Sequence, residues 1–258
     1  MANLTRPDAG ADLWAQLRRY TPARIGFGRV GGSLPTQALL EFELAHARAR
    51  DAIHAAFDAE GLVEGLARAG FPAPLVVTSE TQDRTQYLLR PDRGRVLDAK
   101  SRARLVSLRE RNGASSLAVV IADGLSAVAP ARHAPPLLGE LRAIPGALDN
   151  VTVVVAHRAR VALGDEVGEI LGAEAVAVLI GERPGLSSPD SLGVYLTWAP
   201  RVGRTDADRN CISNIRPGGL DYSAAAQRLA YLLRQARQLQ RSGVDLKDDS
   251  DDAAPLLR

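Results

Sequence analysis

Apolar and polar positions alternate along the chain in two distinct rhythms. From Pro35 and Thr36 onward, Leu39, Leu40, Leu44, Ala47 and Ile53 recur at helical spacing while Glu43, Arg48, Arg50 and Asp51 take other faces, which predicts a helix running to about Phe57. Ahead of it, a short amphipathic stretch (Leu13, Trp14, Leu17, Tyr20) leads into TPARIGFGRVGGSLPT. Pro22, Gly26, Gly28, Gly31 and Gly32 in that stretch predict irregular backbone. Leu62 to Ala69 reads as a second helix. Past Phe71 the rhythm changes. Leu75–Thr78 is a short β-like run, Arg84–Leu89 fits helix or strand, and Arg102–Arg111 is a charged helix stopped by Asn112-Gly113. Leu117–Ala122 and Val151–His157 are continuous apolar strands with a helix from Pro136 to Ala143 between them. Gly164–Gly172 is a short helix with Asp165 available as its cap. EAVAVLIG makes another buried strand ending at Gly181, Ser191–Pro200 alternates as an antiparallel or edge strand would, and Asp221–Arg241 is a long helix with Gly243 at the stop.

Strands that are apolar on both faces and alternate with helices imply a sheet covered on both sides. The expected fold is α/β: a doubly wound, mostly parallel sheet preceded by a smaller helical N-terminal region. Such sheets take ligands in the crevice beyond the carboxyl ends of their strands.

Composition narrows this picture. The 258 residues are 46% hydrophobic and 24% charged, an ordinary globular balance, and the formal charge of +2 gives no field that selects nucleic acid or an anionic membrane. Thirty of the 32 basic residues are arginine, Lys100 and Lys247 being the lysines. Cys211 is the only cysteine, so no intrachain disulfide forms, and the acidic, polar start does not resemble a signal peptide. No apolar run approaches the length of a membrane span. These features together predict a cytoplasmic protein. There is no GxxxxGK[ST] and no G-x-S-x-G, and GFGRVGG (Gly26–Gly32) follows no strand, so it reads as a loop that packs against a partner rather than a dinucleotide loop. His46 and His54 are eight apart on one helix, too far for a chelating pair, and neither His133 nor His157 has a metal-binding partner at recognisable spacing.

Seven blocks, in order and in register from about residue 20 to 248, carry a family likeness. They begin with TPARIGFGRVGGSLPTQALLEFELAHARARDAI (Thr21–Ile53), RPDRGRVLD (Arg90–Asp98) and LAVVIADGLSA (Leu117–Ala127). Next come RVALGDEVGE (Arg160–Glu169) and IGERPGLSSPDSLGVYLTW (Ile180–Trp198). RNCISNIRPGGLDY (Arg209–Tyr222), followed by RSGVDLKD (Arg241–Asp248), closes the set. The chain resembles the small subunit of adenosylcobalamin-dependent ethanolamine ammonia-lyase. That family converts ethanolamine to acetaldehyde and ammonia by radical chemistry begun at the cobalt–carbon bond, and in some bacteria it is housed in a microcompartment. The resemblance implies a separate large subunit carrying substrate and catalytic groups, with this chain covering part of the cobalamin at the interface. It implies a division into a helical N-terminal region (1–95) that packs on the large subunit, an α/β cobalamin-binding domain (96–248) and a frayed acidic tail (249–258).

The family's small-subunit cobalamin contacts carry over to Val161 in RVALGD, Glu182 in GERPGL and Cys211 in RNCISN. The implied roles are an apolar contact for Val161 and hydrogen-bond acceptance from corrin amides or nucleotide-loop hydroxyls for Glu182. Taken as residues alone, Val161 also fits a core position, Glu182 a solvated carboxylate or partner of Arg183, and Cys211 a small buried hydrophobe. No histidine sits in a D-x-H-x-x-G motif, Ala131 preceding His133 and Val155 preceding His157 by two, so the cofactor is expected to keep its own benzimidazole on cobalt. The other readings are a stand-alone nucleotide- or cofactor-binding regulatory module, which the generic α/β pattern also suits, and a hydrolase, against which the missing nucleophile and metal motifs argue.

Overall fold

Eight helices and six strands appear in the computed structural model, which describes residues 13–21 and 23–250. The polar start (residues 1–12) and most of the tail expected to fray (251–258) lie outside the described residues. Three helices come first: α1 (Leu13–Leu17), α2 (Thr36–His54) and α3 (Ala59–Arg68). The α/β part then runs β1 (Leu75–Thr78), α4 (Arg84–Leu89), α5 (Ala99–Asn112), β2 (Leu117–Ala122), α6 (Val128–Arg142), β3 (Val151–His157), α7 (Leu163–Leu171) and β4 (Ala175–Gly181). It closes with β5 (Leu192–Trp198), β6 (Arg209–Ile215) and α8 (Tyr222–Leu239).

The six strands form one mixed sheet in the order β1-β3-β2-β4-β5-β6. β1, β3, β2 and β4 pair in parallel, whereas β5 runs antiparallel to both its neighbours, β4 and β6. β2 and β4 are buried along their whole length, the pattern of central strands covered on both faces. Odd positions Val119, Ile121, Ala177 and Leu179 join Leu137, Leu138, Leu229 and Leu233 of α6 and α8 in one apolar cluster. Even positions Val120, Val176 and Val178 join Leu105 of α5 and Leu163 and Val167 of α7 in the other. Because β1 is hydrogen-bonded to β3, a strand within residues 1–95 belongs to the sheet; the part of that region free of it ends before Leu75.

Local chemistry explains most boundaries. Asp58, Asp83, Asp98 and Asp221 each accept a hydrogen bond from a first-turn amide of the helix that follows, and Gly113 and Gly172, both at positive φ, end α5 and α7. Three elements depart from expectation. α6 starts at Val128 rather than Pro136 and keeps Pro135 and Pro136 inside. An interior proline costs about 3 kcal/mol in a helix, but Leu137, Leu138 and Leu141 are fully buried, and each such leucine contributes roughly 1.5–3 kcal/mol. Tertiary burial therefore overrides the local breaker. Asp165 does not cap α7, whose N-cap is Ala162; it lies in the first turn and faces β6. β6 itself is a strand that the polar run RNCISNI did not announce, and it makes β5 an interior strand rather than an edge.

α2 buries Ala45, Ala49 and Ala52 rather than its leucines. Leu39, Leu40, Phe42 and Leu44 are exposed, as are Leu13, Trp14, Leu17 and Tyr20 ahead of them.

Candidate functional site

Helices cover the two faces of the sheet unequally. On one face α6 packs on β2, β4 and β5, and α8 on β5 and β6. On the other, α7 packs on β2 and β4, and β5 and β6 are bare beside it: Tyr195 is half-buried, Cys211 and Ser213 exposed. The sequence builds this bare shelf by alternation. Tyr195 opposes Cys211 across β5–β6 and Val178 across β4–β5, so the three form one row. Val178 lies against Gly164, where an added Cβ would come within 2.3 Å of it; this is how closely α7 approaches the sheet. Val161 stands at the turn leading into α7, its carbonyl accepting from Gly164 N (2.9 Å), and its half-buried side chain packs on the α5/α7 apolar cluster.

Glu182 follows β4 directly, at the carboxyl edge of the sheet. Its side chain lies over Gly193, whose hydrogen leaves room for it: a Cβ there would sit 2.8 Å from Oε1. Ser191 Oγ donates to Oε2 at 2.5 Å, Ser213 Oγ to Oε1 at 2.6 Å, and Asn214 N to Oε2 at 3.3 Å. The amide reaches because β6 is bulged: Val194 pairs with Ile212 but Leu192 with Ile215, one extra residue on β6, and Asn214 adopts a left-handed φ of 60°. An ionised carboxylate offers about four lone-pair sites, so three donors from its own chain leave Glu182 little capacity for a ligand.

Electrostatics on the shelf favour neutral groups. The protein around Cys211 disfavours its thiolate, a hydrogen bond from Tyr195 partly offsets this, and the Glu182 charge adds to it. Burial likewise pushes the Tyr195 hydroxyl well above the usual phenol range. Cys211 is thus a neutral, solvent-open thiol on a strand face, not a buried core residue and not an activated nucleophile.

The three residues expected to contact cofactor therefore share one face of the sheet. Concavities of about 290 and 560 Å³ lie elsewhere, one lined by Phe71, Arg142 and Leu148, the other by Arg24, Phe27 and Pro35. The shelf itself is open, with Cys211 and Ser213 exposed. No group of three or more His, Cys, Asp or Glu among the described residues is arranged to hold a metal ion.

Residues 11–247 match the family described as ethanolamine ammonia-lyase light chain (EutC). The chain belongs to that family. It is 52% identical over 251 residues to the ethanolamine ammonia-lyase small subunit of Azotobacter vinelandii, covering 95% of this chain and 92% of that one. The small subunit of Pseudomonas putida (strain GB-1) is 54% identical over 241 residues, 92% and 88% of the two chains. That of Xanthomonas campestris pv. campestris (strain B100) is 54% identical over 251 residues, 95% and 90%.

On this shelf Tyr195, Cys211 and Ser213 set out scattered neutral polar groups, with Val161 adding apolar surface beside them. Ser191, Tyr195, Arg209, Ser213 and Asn214 did not emerge from the sequence. The available signal was the i, i+2, i+4 spacing of Arg209, Cys211 and Ser213, which is a strand face; it was hidden because Asn210 and Asn214, on intervening positions, are polar too.

Proposed function

We propose that this chain is the small subunit of an ethanolamine ammonia-lyase and that its bare β5–β6 face receives adenosylcobalamin at the interface with a large subunit. The coupling to a family of ammonia-lyase light chains carries the enzymatic assignment. The single structural observation supporting the cofactor face is that Val161, Glu182 and Cys211, 50 residues apart at the extremes, fall on one side of the sheet beside a strand pair without a covering helix. When bound, the cofactor supplies the radical chemistry. This chain's residues supply placement and exclusion of water.

In this reading Val161 gives apolar contact, Cys211 and Tyr195 neutral polar contact, and Glu182 acts mainly by ordering Ser191, Ser213 and the β6 bulge. The base-on state has support from where the histidines sit. His46 and His54 are exposed on α2. His133 is fully buried in α6. His157, at the carboxyl end of β3, packs edge-on against Phe57 at 5.4 Å, on the face opposite the shelf. Within the N-terminal region of residues 1–95, the exposed apolar side chains of α1 and α2 suit packing on the large subunit. No helix among the described residues is long and apolar enough to cross a membrane; a cytoplasmic site, in some organisms inside a microcompartment, is the reading that goes with the family.

Mixing the purified chain with the large subunit and adenosylcobalamin should restore deamination of ethanolamine. Equal turnover by the large subunit without this chain would overturn the assignment. Electron paramagnetic resonance of the holo-complex with nitrogen-labelled histidine tests the axial base, and coupling of cobalt to protein nitrogen would exclude the base-on state.

A further inference from the structure

Arg209 and Asp165 form an ion pair buried to an unusual degree, their side chains only 2% and 3% exposed. Arg209 is the first residue of β6 and Asp165 the third of α7. The guanidinium donates in a fork, Nη1 to Oδ1 at 3.1 Å and Nη2 to Oδ2 at 2.9 Å. Further contacts hold it: Nη1 to Thr197 Oγ1 at 3.4 Å and Nη2 to the Arg204 carbonyl at 3.1 Å, with Asp206 Oδ1 3.5 Å from Nε.

Stability alone is a poor account of such a pair, because desolvating two charges offsets most of their attraction and apolar replacements of similar volume often do as well. What a fork does provide is geometry: a planar, two-bond contact fixes both distance and angle. β6 is a bulged edge strand: its ladder is with β5, and beyond that it has an isolated bridge, Ile215–Leu220, and the bonds of the Asn210 side chain to Gly243 and Leu246. Its apolar residues, Ile212 and Ile215, point to the α6/α8 cluster, and the α5/α7 cluster takes no residue from β6. Facing α7, β6 presents Arg209, Cys211 and Ser213. Two residues from Arg209 lies Cys211; four residues from Asp165 lies Val161. The fork thus joins the two elements that carry opposite sides of the shelf.

We propose that Asp165 and Arg209 are a positioning pair that sets the separation and angle between α7, with Val161 at its entry, and β6, with Cys211, so that the shelf is held at the width a corrin requires. This rests on the cobalamin reading above. Neither residue touches the cofactor in this account; they act through the elements they join.

The test uses the assembled large–small complex. Arg209→Lys keeps a positive charge but loses the fork, and Asp165→Asn keeps shape but loses the charge. Both should assemble, and both should weaken adenosylcobalamin binding, read by visible absorption on titration, by about tenfold or more. At saturating cofactor, kcat and the KM for ethanolamine should stay within about twofold of the unmodified complex. A merely structural pair would lower melting temperature and yield while leaving the affinity of the folded complex alone, and that outcome overturns the proposal. Should both variants fail to fold, Thr197→Val, which removes one neutral contact to the fork, decides: a two- to threefold weaker affinity supports the proposal and an unchanged one rejects it. If the unmodified complex binds cobalamin no better than the large subunit alone, the cofactor reading fails first, which is distinguishable from failure of the pair.

Discussion

At the scale of single residues, chemistry here is governed by what each polar group is bonded to rather than by its type. Glu182 has the residue type of a ligand acceptor, yet its oxygens already accept from Ser191, Ser213 and Asn214. Substituting Glu182→Gln turns one acceptor into a donor facing donors. Charge-assisted hydrogen bonds contribute about 1.5–3 kcal/mol each, so cobalamin affinity of the complex should fall at least tenfold, and titration at unchanged affinity would refute the ordering role. His133 allows a second prediction. It is fully buried, its Nδ1 2.8 Å from the Tyr222 hydroxyl and its Nε2 3.4 Å from Asp190, with Arg132 beside that carboxylate. Burial, only partly offset by Asp190, lowers its pKa from the ordinary 6.5; burial lowers that of His157 too. The unfolded chain then binds protons at these histidines that the folded one does not, so their contribution to stability is present above about pH 6.5 and is lost as pH falls below it. Asp165, its carboxyl pushed up to about 6 by burial, acts in the opposite sense over the same window, so the histidine part is read as a difference. In urea titrations between pH 7.5 and 5, the stability gap between the unmodified chain and His133→Gln should narrow as pH falls.

Among the elements, packing is tight at the carboxyl ends of the central strands. β4 ends at Gly181 against the loop leaving β2: a Cβ there would meet Ser126 O at 2.0 Å and Asp123 O at 2.6 Å, both backbone atoms that cannot swing aside. Gly181→Ala should therefore destabilise by about 1–3 kcal/mol or more. Gly139, exposed on α6 with nothing within 4 Å of an added Cβ, is the control. Its change to alanine should be neutral or stabilise by about 0.5–1 kcal/mol, since alanine restricts the unfolded chain and suits a helix. Equal unfolding midpoints for the two variants would contradict this account. The elements also show where local signals end. The apolar runs of β2, β3 and β4 were legible because the responsible residues are neighbours in sequence, whereas the one cap expected, Asp165, is not where α7 begins. α6 was foreshortened in the sequence because its prolines speak locally, whereas the leucines that retain it answer to α8 and the sheet. β6 was illegible because a strand with one bare face lacks the apolar alternation by which strands are read.

For the whole molecule, the structure distinguishes two surfaces: the shelf, and the exposed apolar side chains of α1 and α2. The segment between them, TPARIGFGRVGGSLPT, includes Arg24, which donates to the Leu186 carbonyl at 3.2 Å and to Ser187 Oγ at 3.1 Å, tying the N-terminal part to the loop between β4 and β5. Removing residues 1–33 should weaken association with the large subunit by at least tenfold, measured by sedimentation or light scattering of the mixed subunits. Complex formation at full strength by the truncated chain, which keeps α2, would count against α1 and the glycine-rich segment as part of the docking surface.

The amino-acid sequence by itself determined the α/β class, the parallel strands and the family, because each rests on periodicity or on a run of adjacent residues. It also pointed to Val161, Glu182 and Cys211 through family likeness. Only the tertiary structure decided that these lie on one bare face, that Glu182 is already satisfied by its own chain, and that Asp165 reaches across to Arg209 instead of capping its helix. Those facts depend on which strand lies beside which, and strand order is set by long-range burial that no local stretch of sequence encodes.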